Sequence, residues 1–258
     1  MTDAARSAPR PVIKRVARLA VVAVVAYVAV LTLIYFRQRS MLFFPSHNSR
    51  ATELKPWVDG ERLIGWCREV TNASAIWLML HGNGGQAAQR DYVLQRMSAS
   101  DSLYVLEYPG YGSRAGTPSL ESMNQAASEA YRLLRTRHPI TPVCVLGESL
   151  GSGPACALAQ EKIAPNKIVL VVPFDSLANV AAKKFWFLPV RFLLRDAWDN
   201  VEALKHYTGP VVIYGARYDE IIPSAHARAL ATQVAARFIE IDGGHNEWSE
   251  SARVKIEQ

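Results

Sequence analysis

Val143-Cys144-Val145-Leu146-Gly147-Glu148-Ser149-Leu150-Gly151 runs from four apolar residues of strand character into a Gly-x-Ser-x-Gly turn, and then into a stretch with helical spacing. Strand, tight turn and helix form the setting in which a serine is held out at the end of a sheet as a nucleophile. Glycine suits positions 147 and 151 because a side chain there would run into neighbouring backbone. The turn itself strains Ser149 and presents its hydroxyl. Without that strand and helix, the same five residues would read as a turn serine bonding its own backbone.

Outward from this turn, short apolar runs alternate with longer segments of helical period, the pattern of an α/β fold with a mostly parallel central sheet and helices on both faces. Strands are expected near Arg62–Val70, Ala75–Leu80, Leu103–Glu107, Val143–Leu146, Ile168–Val172, Val211–Tyr214 and Phe238–Ile241. Ser119 to His138 reads as a helix, with Met123, Ala126, Ala127, Ala130, Tyr131 and Leu134 on one face and Pro139 as its stop. A second helix is expected from Ser149 to Ala164, its small residues Gly151, Gly153, Ala155 and Ala157 allowing close approach to the sheet. The length of 258 residues suits one such domain and is short for two.

A serine hydroxyl is a weak nucleophile at neutral pH and needs a base, itself oriented by a carboxylate. His245, in Asp242-Gly243-Gly244-His245-Asn246, follows the last strand on a loop that glycines make pliable. His81 belongs to another motif, His47 lies near the N-terminal apolar run, His138 ends a helix, and His206 and His226 read as helix-surface residues. Asp219 follows the strand Val211–Tyr214 and completes the chain order Ser, Asp, His. Asp175, after Val172-Pro173-Phe174, is the alternative acid, and Glu220 a weaker one. The negative oxygen formed in acyl transfer also needs donors. The backbone N–H of Leu150 is one, and that of Asn83 in His81-Gly82-Asn83-Gly84-Gly85 is the other. That Gly-rich loop lacks the Lys-Ser/Thr ending of a phosphate-binding loop. This chemistry calls for no metal and no organic cofactor.

The N-terminus is set apart by composition. Leu19 to Phe36 holds eighteen residues without a charge, long enough to cross a bilayer. Arg6, Arg10, Lys14, Arg15 and Arg18 precede it and Arg37, Arg39 and Arg50 follow, a bias that favours a cytoplasmic N-terminus and an extracytoplasmic globular part. A cleaved signal peptide is the rival reading, although Tyr35-Phe36-Arg37-Gln38-Arg39 lacks a small-x-small cleavage site. A buried core helix is the other, at odds with a run that is apolar all round. The expected organisation is a basic tail at 1–18, a transmembrane signal anchor at 19–36 and a globular domain at 37–258 with a cap-like insertion at about 175–209. Within that insertion, Lys183 to Arg195 alternates basic and aromatic residues, which suits a lid, a lipid contact or a packing helix.

Of the net charge of +6, residues 1–36 carry +4, so the globular part is nearly neutral and a nucleic-acid partner is not expected. Cys67, Cys144 and Cys156 are odd in number and widely spaced, and read as core thiols.

Seven stretches together resemble the α/β-hydrolase superfamily, and within it the membrane-anchored BEM46-like branch, over about Met41 to Asn246. They are His-Gly-Asn-Gly-Gly at 81–85, Glu-Tyr-Pro-Gly-Tyr-Gly at 107–112, Gly-Glu-Ser-Leu-Gly-Ser-Gly at 147–153, Pro-Phe-Asp-Ser-Leu at 173–177, Phe187-Leu188-Pro189-Val190 with Leu194-Arg195-Asp196, the Asp219 loop, and Gly-Gly-His-Asn at 243–246. The resemblance implies an α/β-hydrolase fold preceded by one transmembrane helix, and a triad of Ser149, Asp219 and His245. It further implies an oxyanion hole at Asn83 and Leu150 and a small-molecule or lipid acyl substrate. Similar sequences often carry Thr or Ser where Asp175 stands, so the identity of the acid stays open. Esters, thioesters and amides share these groups, and a scaffold that kept the fold without catalysis is the reading from another class. Oligomeric state is not legible.

Overall fold

The computed structural model describes residues 10–48 and 52–258. Arg6 and Arg50, part of the charge asymmetry above, lie outside them. Eight strands make one sheet: β1 (Lys55–Asp59), β2 (Arg62–Arg68), β3 (Ile76–Leu80), β4 (Ser102–Leu106), β5 (Val143–Glu148), β6 (Ile168–Val171), β7 (Val211–Ala216) and β8 (Arg237–Ile241). Their spatial order is β1-β2-β4-β3-β5-β6-β7-β8. β1 and β2 are antiparallel to each other, β2 is antiparallel to β4, and all pairs from β4 to β8 are parallel.

The inner strands read as unbroken apolar runs because they are buried on both faces. Period-two alternation then splits each strand between two cores. Ile76, Leu78 and Leu80 of β3 join one core, and Trp77 and Met79 the other. The first core is closed by helix α2 (Leu120–Arg137), whose buried face is the expected six residues. Ser119 caps this helix by accepting from the Ser122 N–H at 3.1 Å, and the Ser122 hydroxyl accepts from the Ser119 N–H at 2.9 Å. The second core is closed by the 3₁₀ segment Ala87–Arg96 and by Trp248, Val254 and Ile256 near the C-terminus.

Three elements differ from the sequence expectation. β1 was not expected: only Trp57 of its five residues is buried, so it shows no alternating stripe, and Pro56 is tolerated because β1 is the sheet edge. The helix expected from Ser149 to Ala164 is shorter and broken, with 3₁₀ turns at Ser149–Gly151 and Leu158–Gln160 around a short α3 (Ser152–Ala157). Glu161 leaves helical geometry there, and its carboxylate binds the Arg132 guanidinium of α2 at 2.9 Å. The third is His226, in α7 (Ser224–Gln233), which lies on the buried face of that helix and not on its surface. All three cysteines are buried and free.

The insertion after β6 contains α4 (Leu177–Lys184), α5 (Val190–Leu193) and α6 (Asn200–Leu204). Helix α1 (Arg10–Leu42) extends the apolar run 19–36 at both ends, and no side chain between Val12 and Phe36 is buried. That exposure excludes a buried core helix. The buried contacts of α1 with the globular part come from its last turns, while Tyr27 and Tyr35 touch the insertion at its exposed side. Gln38 is buried, donating to Leu193 O at 3.0 Å and accepting from the Arg195 N–H at 2.8 Å. Arg39 donates through Nε to Asp196 at 2.8 Å, and Asp196 is fully buried and also accepts from the Leu120 N–H at 2.8 Å.

A buried carboxylate stripped of its cation is costly. Arg39→Ala in the detergent-solubilised full chain should therefore lower stability by about 3–5 kcal/mol in urea titrations. Arg37→Ala, on the exposed side of the same helix, should stay within about 0.5 kcal/mol of wild type.

Candidate active site

β5 delivers its chain end into the Gly-x-Ser-x-Gly turn at the C-terminal edge of the parallel sheet. Ser149 has φ of 51°, a left-handed conformation that costs a non-glycine residue about 1–3 kcal/mol. The two glycines give this turn the room it needs. A Cβ on Gly151 would stand 2.1 Å from Leu80 O, and one on Gly147 would stand 2.7 Å from the Ala155 Cβ. Gly153 makes room for a different neighbour than the sheet, the Trp198 ring of the insertion, 2.5 Å from where its Cβ would be.

The structure brings Ser149, His245 and Asp219 into one line. The Ser149 hydroxyl donates to Nε2 of His245 at 2.8 Å, and Nδ1–H of His245 donates to Asp219 at 2.7 Å. A carboxylate only accepts, so it fixes the imidazole tautomer and leaves Nε2 as the acceptor facing the serine. The other Asp219 oxygen accepts from the Ile221 and Ile222 N–H groups at 2.9 and 2.8 Å. Asp219 is thus held by its own turn, while Ser149 and Asp219 are both almost fully buried.

Asp175, the alternative acid, contacts a different imidazole. One of its oxygens meets Nδ1 of His226 at 2.8 Å, and the other accepts from the Asn179 side chain at 2.8 Å. Glu220 is exposed beside Asp219 and makes no contact with His245. The His226 partnership carries no signal in the sequence, because the stripe that buries this residue depends on where α7 lands on the sheet.

The expected oxyanion donors lie on adjacent loops. Leu150 is in the first turn of its helix, where an N–H has no intrahelical acceptor. The Asn83 N–H makes no hydrogen bond among the described residues. Its side chain is occupied elsewhere: Oδ1 accepts from the Phe44 N–H and the Tyr111 hydroxyl, both at 3.0 Å, and Nδ2 donates to Leu42 O. The end of α1 is therefore tied directly to this loop.

Glu148 is the residue that sequence reasoning missed. Its carboxylate accepts from the Gly82 N–H at 2.8 Å, the Tyr92 hydroxyl at 2.6 Å and the Trp248 indole N–H at 3.0 Å, with Arg90 Nε at 3.8 Å. Burial pushes this carboxyl up, but Arg90 and the three donors more than reverse the effect and hold it below the ordinary range. Nearby, burial pushes Glu107 up to about 7 and His81 down to about 3, so His81 is a neutral packing residue. Its Nδ1 meets Gly82 O at 2.7 Å, which helps to shape the loop.

No protein-family model matches the chain. An uncharacterized protein of Mycobacterium tuberculosis (strain CDC 1551 / Oshkosh) is 32% identical over 255 residues, covering 92% of this chain and 88% of the relative. Alpha/beta hydrolase domain-containing protein 17B of Xenopus tropicalis is 30% identical over 186 residues, or 68% of this chain and 62% of that protein. Among solved structures, the Pyrococcus furiosus esterase Pf2001 superposes with a TM-score of 0.60 at 15% identity, covering 81% of this chain and 94% of the esterase.

Glu148→Gln should destabilise the protein by about 3–5 kcal/mol at neutral pH, because Arg90 loses its buried counter-charge. A carboxylate whose folded pKa is depressed stabilises above its unfolded pKa, and that contribution is lost as pH falls through the folded value. Urea midpoints of wild type and variant should therefore differ most near neutrality and converge in acid.

Proposed function

The chain belongs to the α/β-hydrolase superfamily, and from that premise we propose that it is a membrane-anchored serine hydrolase of carboxylic esters, acting on lipid or acylated substrates. The observation that carries this reading is the unbroken relay Ser149–His245–Asp219 built on a strained turn at the strand ends.

In the proposed reaction, His245 Nε2 takes the Ser149 proton as the serine oxygen attacks the acyl carbonyl. Asp219 stabilises the imidazolium that forms. The oxyanion accepts from the Leu150 and Asn83 N–H groups, each such donor being worth roughly two to three powers of ten in rate. Collapse breaks the bond to the leaving alkoxide, which takes the proton from His245. A water, deprotonated by the same imidazole, then attacks the acyl-enzyme and releases the acid and free Ser149.

Anchoring by α1 is favoured over a cleaved signal peptide because the end of the helix is part of the domain. Gln38 and Arg39, which reach Leu193, Arg195 and Asp196, stand on the last turns of the same continuous helix, and cleavage after the apolar run would leave those turns as a short stub without the helix that carries them. Tethering raises the local concentration of substrates in the bilayer, which favours lipids and acylated molecules. The basic residues at 14–18 favour a cytoplasmic N-terminus and an extracytoplasmic site.

A fluorophosphonate probe should label wild type and leave Ser149→Ala unlabelled. An unreactive wild type beside a reactive control hydrolase would leave the scaffold reading in its place. Asp219→Asn should lower kcat by about four powers of ten through loss of the correct tautomer, whereas Asp175→Asn should leave it near wild type. A panel of ester, thioester, amide and lysolipid substrates assigns the scissile bond. Protease added outside intact spheroplasts should digest the globular domain; protection would reverse the orientation.

A further inference from the structure

We propose that Phe185–Phe192 is a second membrane-embedded element, a wedge that dips into the bilayer leaflet beside α1; this rests on α1 spanning the membrane, as above. The segment exposes more apolar surface than any other part of the described insertion. Trp186 is 82% exposed, Phe192 91% and Phe187 59%. Each such side chain left in water forgoes the burial that a soluble domain gives its large aromatics.

The contacts of this segment with α1 give its depth. Leu193 and Arg195 bond the Gln38 side chain, and the Arg195 guanidinium lies 5.5 Å from the Tyr35 ring, at the edge of the apolar run. The chain then reaches back along the helix, where the Tyr27 hydroxyl donates to Phe187 O at 3.4 Å. Tyr35 and Tyr27 are eight residues apart, which is about 12 Å of helix axis. Phe187 is thus well below the level of Arg195, alongside residues that face hydrocarbon once α1 crosses a bilayer.

The occupant of this face follows from its neighbour. Anything covering Trp186 and Phe187 is continuous with whatever surrounds Tyr27 on α1, and around a membrane-spanning helix that is lipid. The charges agree with such a placement. Lys183, Lys184 and Arg195 flank the aromatic tip, where cationic side chains meet phosphate headgroups and aromatic ones the interface below, and Arg191 within the segment turns its guanidinium back to Asn179 at 3.1 Å. An interfacial segment is expected to sink its apolar face by about 5–10 Å, and the separation of about 12 Å along the helix puts Phe187 at or beyond the deep end of that range.

This placement bears on the substrate. The insertion leaves the sheet at the end of β6, the strand next to the one that carries Ser149, and Asp175 at that exit is bonded to Asn179, which in turn accepts from Arg191 at 3.1 Å. The wedge is therefore joined to the catalytic edge of the sheet through a short polar chain. A lipid whose acyl chain remains in the leaflet fits this arrangement better than a water-soluble ester.

The buried native cysteines leave single introduced cysteines open to selective labelling. Full-length protein carrying Phe187→Cys, labelled with the fluorophore NBD, is reconstituted in phosphatidylcholine/phosphatidylglycerol vesicles containing lipids spin-labelled on the acyl chain. Val25→Cys on α1 reports the anchor, and Ile140→Cys, 95% exposed before β5 at the opposite end of the sheet, reports water. Quenching of most of the emission at 25 and at 187, with none at 140, is the expected result. If position 25 is quenched and 187 behaves like 140, the wedge is overturned and the anchor stands. If position 25 is not quenched, both fall. Should Phe187→Cys fail to reconstitute, Phe192→Cys takes its place with the same two outcomes.

Discussion

The buried carboxylate of Glu148 is the interaction on which the rest of the site depends. Its backbone enters the Gly-x-Ser-x-Gly turn, its Oε2 holds the Gly82 N–H of the glycine-rich loop, and its Oε1 holds Trp248, three residues after His245. One side chain thus ties together the three loops that carry Ser149, Asn83 and His245. Such a group is expensive to bury, and it is stable only because Arg90 and three hydrogen-bond donors surround it. The arrangement has the character of a lock: with every partner present it fixes relative positions, and with one missing it becomes a liability of several kcal/mol. Ser149 needs that support, because its left-handed backbone persists only where the surroundings impose it.

Much of this was legible in the sequence, and the boundary has a physical basis. Strand runs such as Ile76-Trp77-Leu78-Met79-Leu80 and the face of α2 declare themselves through periodicity, which is local. The order of Ser149, Asp219 and His245 could be read because each follows a strand at the same edge of a parallel sheet. The Glu148 hub could not be read, since Arg90, Tyr92 and Trp248 lie far from it in the chain and carry no spacing signal. β1 escaped for a related reason, as an edge strand with one buried residue has no stripe to show. The helix after Ser149 was overextended because propensity does not register that Glu161 is drawn off to Arg132.

Two aspartate–histidine pairs occupy neighbouring strand ends, and their chemistry differs although their distances do not. Asp219 holds His245 by one oxygen and backbone N–H groups by the other, leaving His245 Nε2 on the serine hydroxyl. Asp175 holds His226 by one oxygen and Asn179 by the other, and His226 Nε2 is buried with no partner among the described residues. The first pair ends on the Ser149 hydroxyl. The second links the core helix α7 to the insertion through Asn179 and Arg191. Val172, three residues before Asp175, has φ of 46°, a rare conformation for a β-branched residue, and it turns the chain out of β6 into that insertion. Asp175 is accordingly read best as a structural anchor of the insertion, which accounts for an acid at a position where it has no contact with His245.

In the proposed anchoring, helix α1 is more than a tether on a flexible leash. A loose linker would leave the domain free to tumble over the membrane, and affinity for bilayer substrates would then come only from proximity. Here Gln38 and Arg39 dock the end of the helix against the insertion, and Leu42 and Phe44 bond the side chain of Asn83 in the glycine-rich loop. The chain just beyond, Phe44–Pro45, pairs in parallel with Gly84–Gly85 of that same loop. A rigid joint of this kind converts the direction of the helix into an orientation of the sheet. In the proposed anchoring the bilayer fixes the helix axis to within its tilt, and so limits which face of the domain meets lipid. The same joint places the loop of one candidate oxyanion donor in direct contact with the end of α1. Tilt or packing of α1 is thereby mechanically linked to the geometry around Ser149.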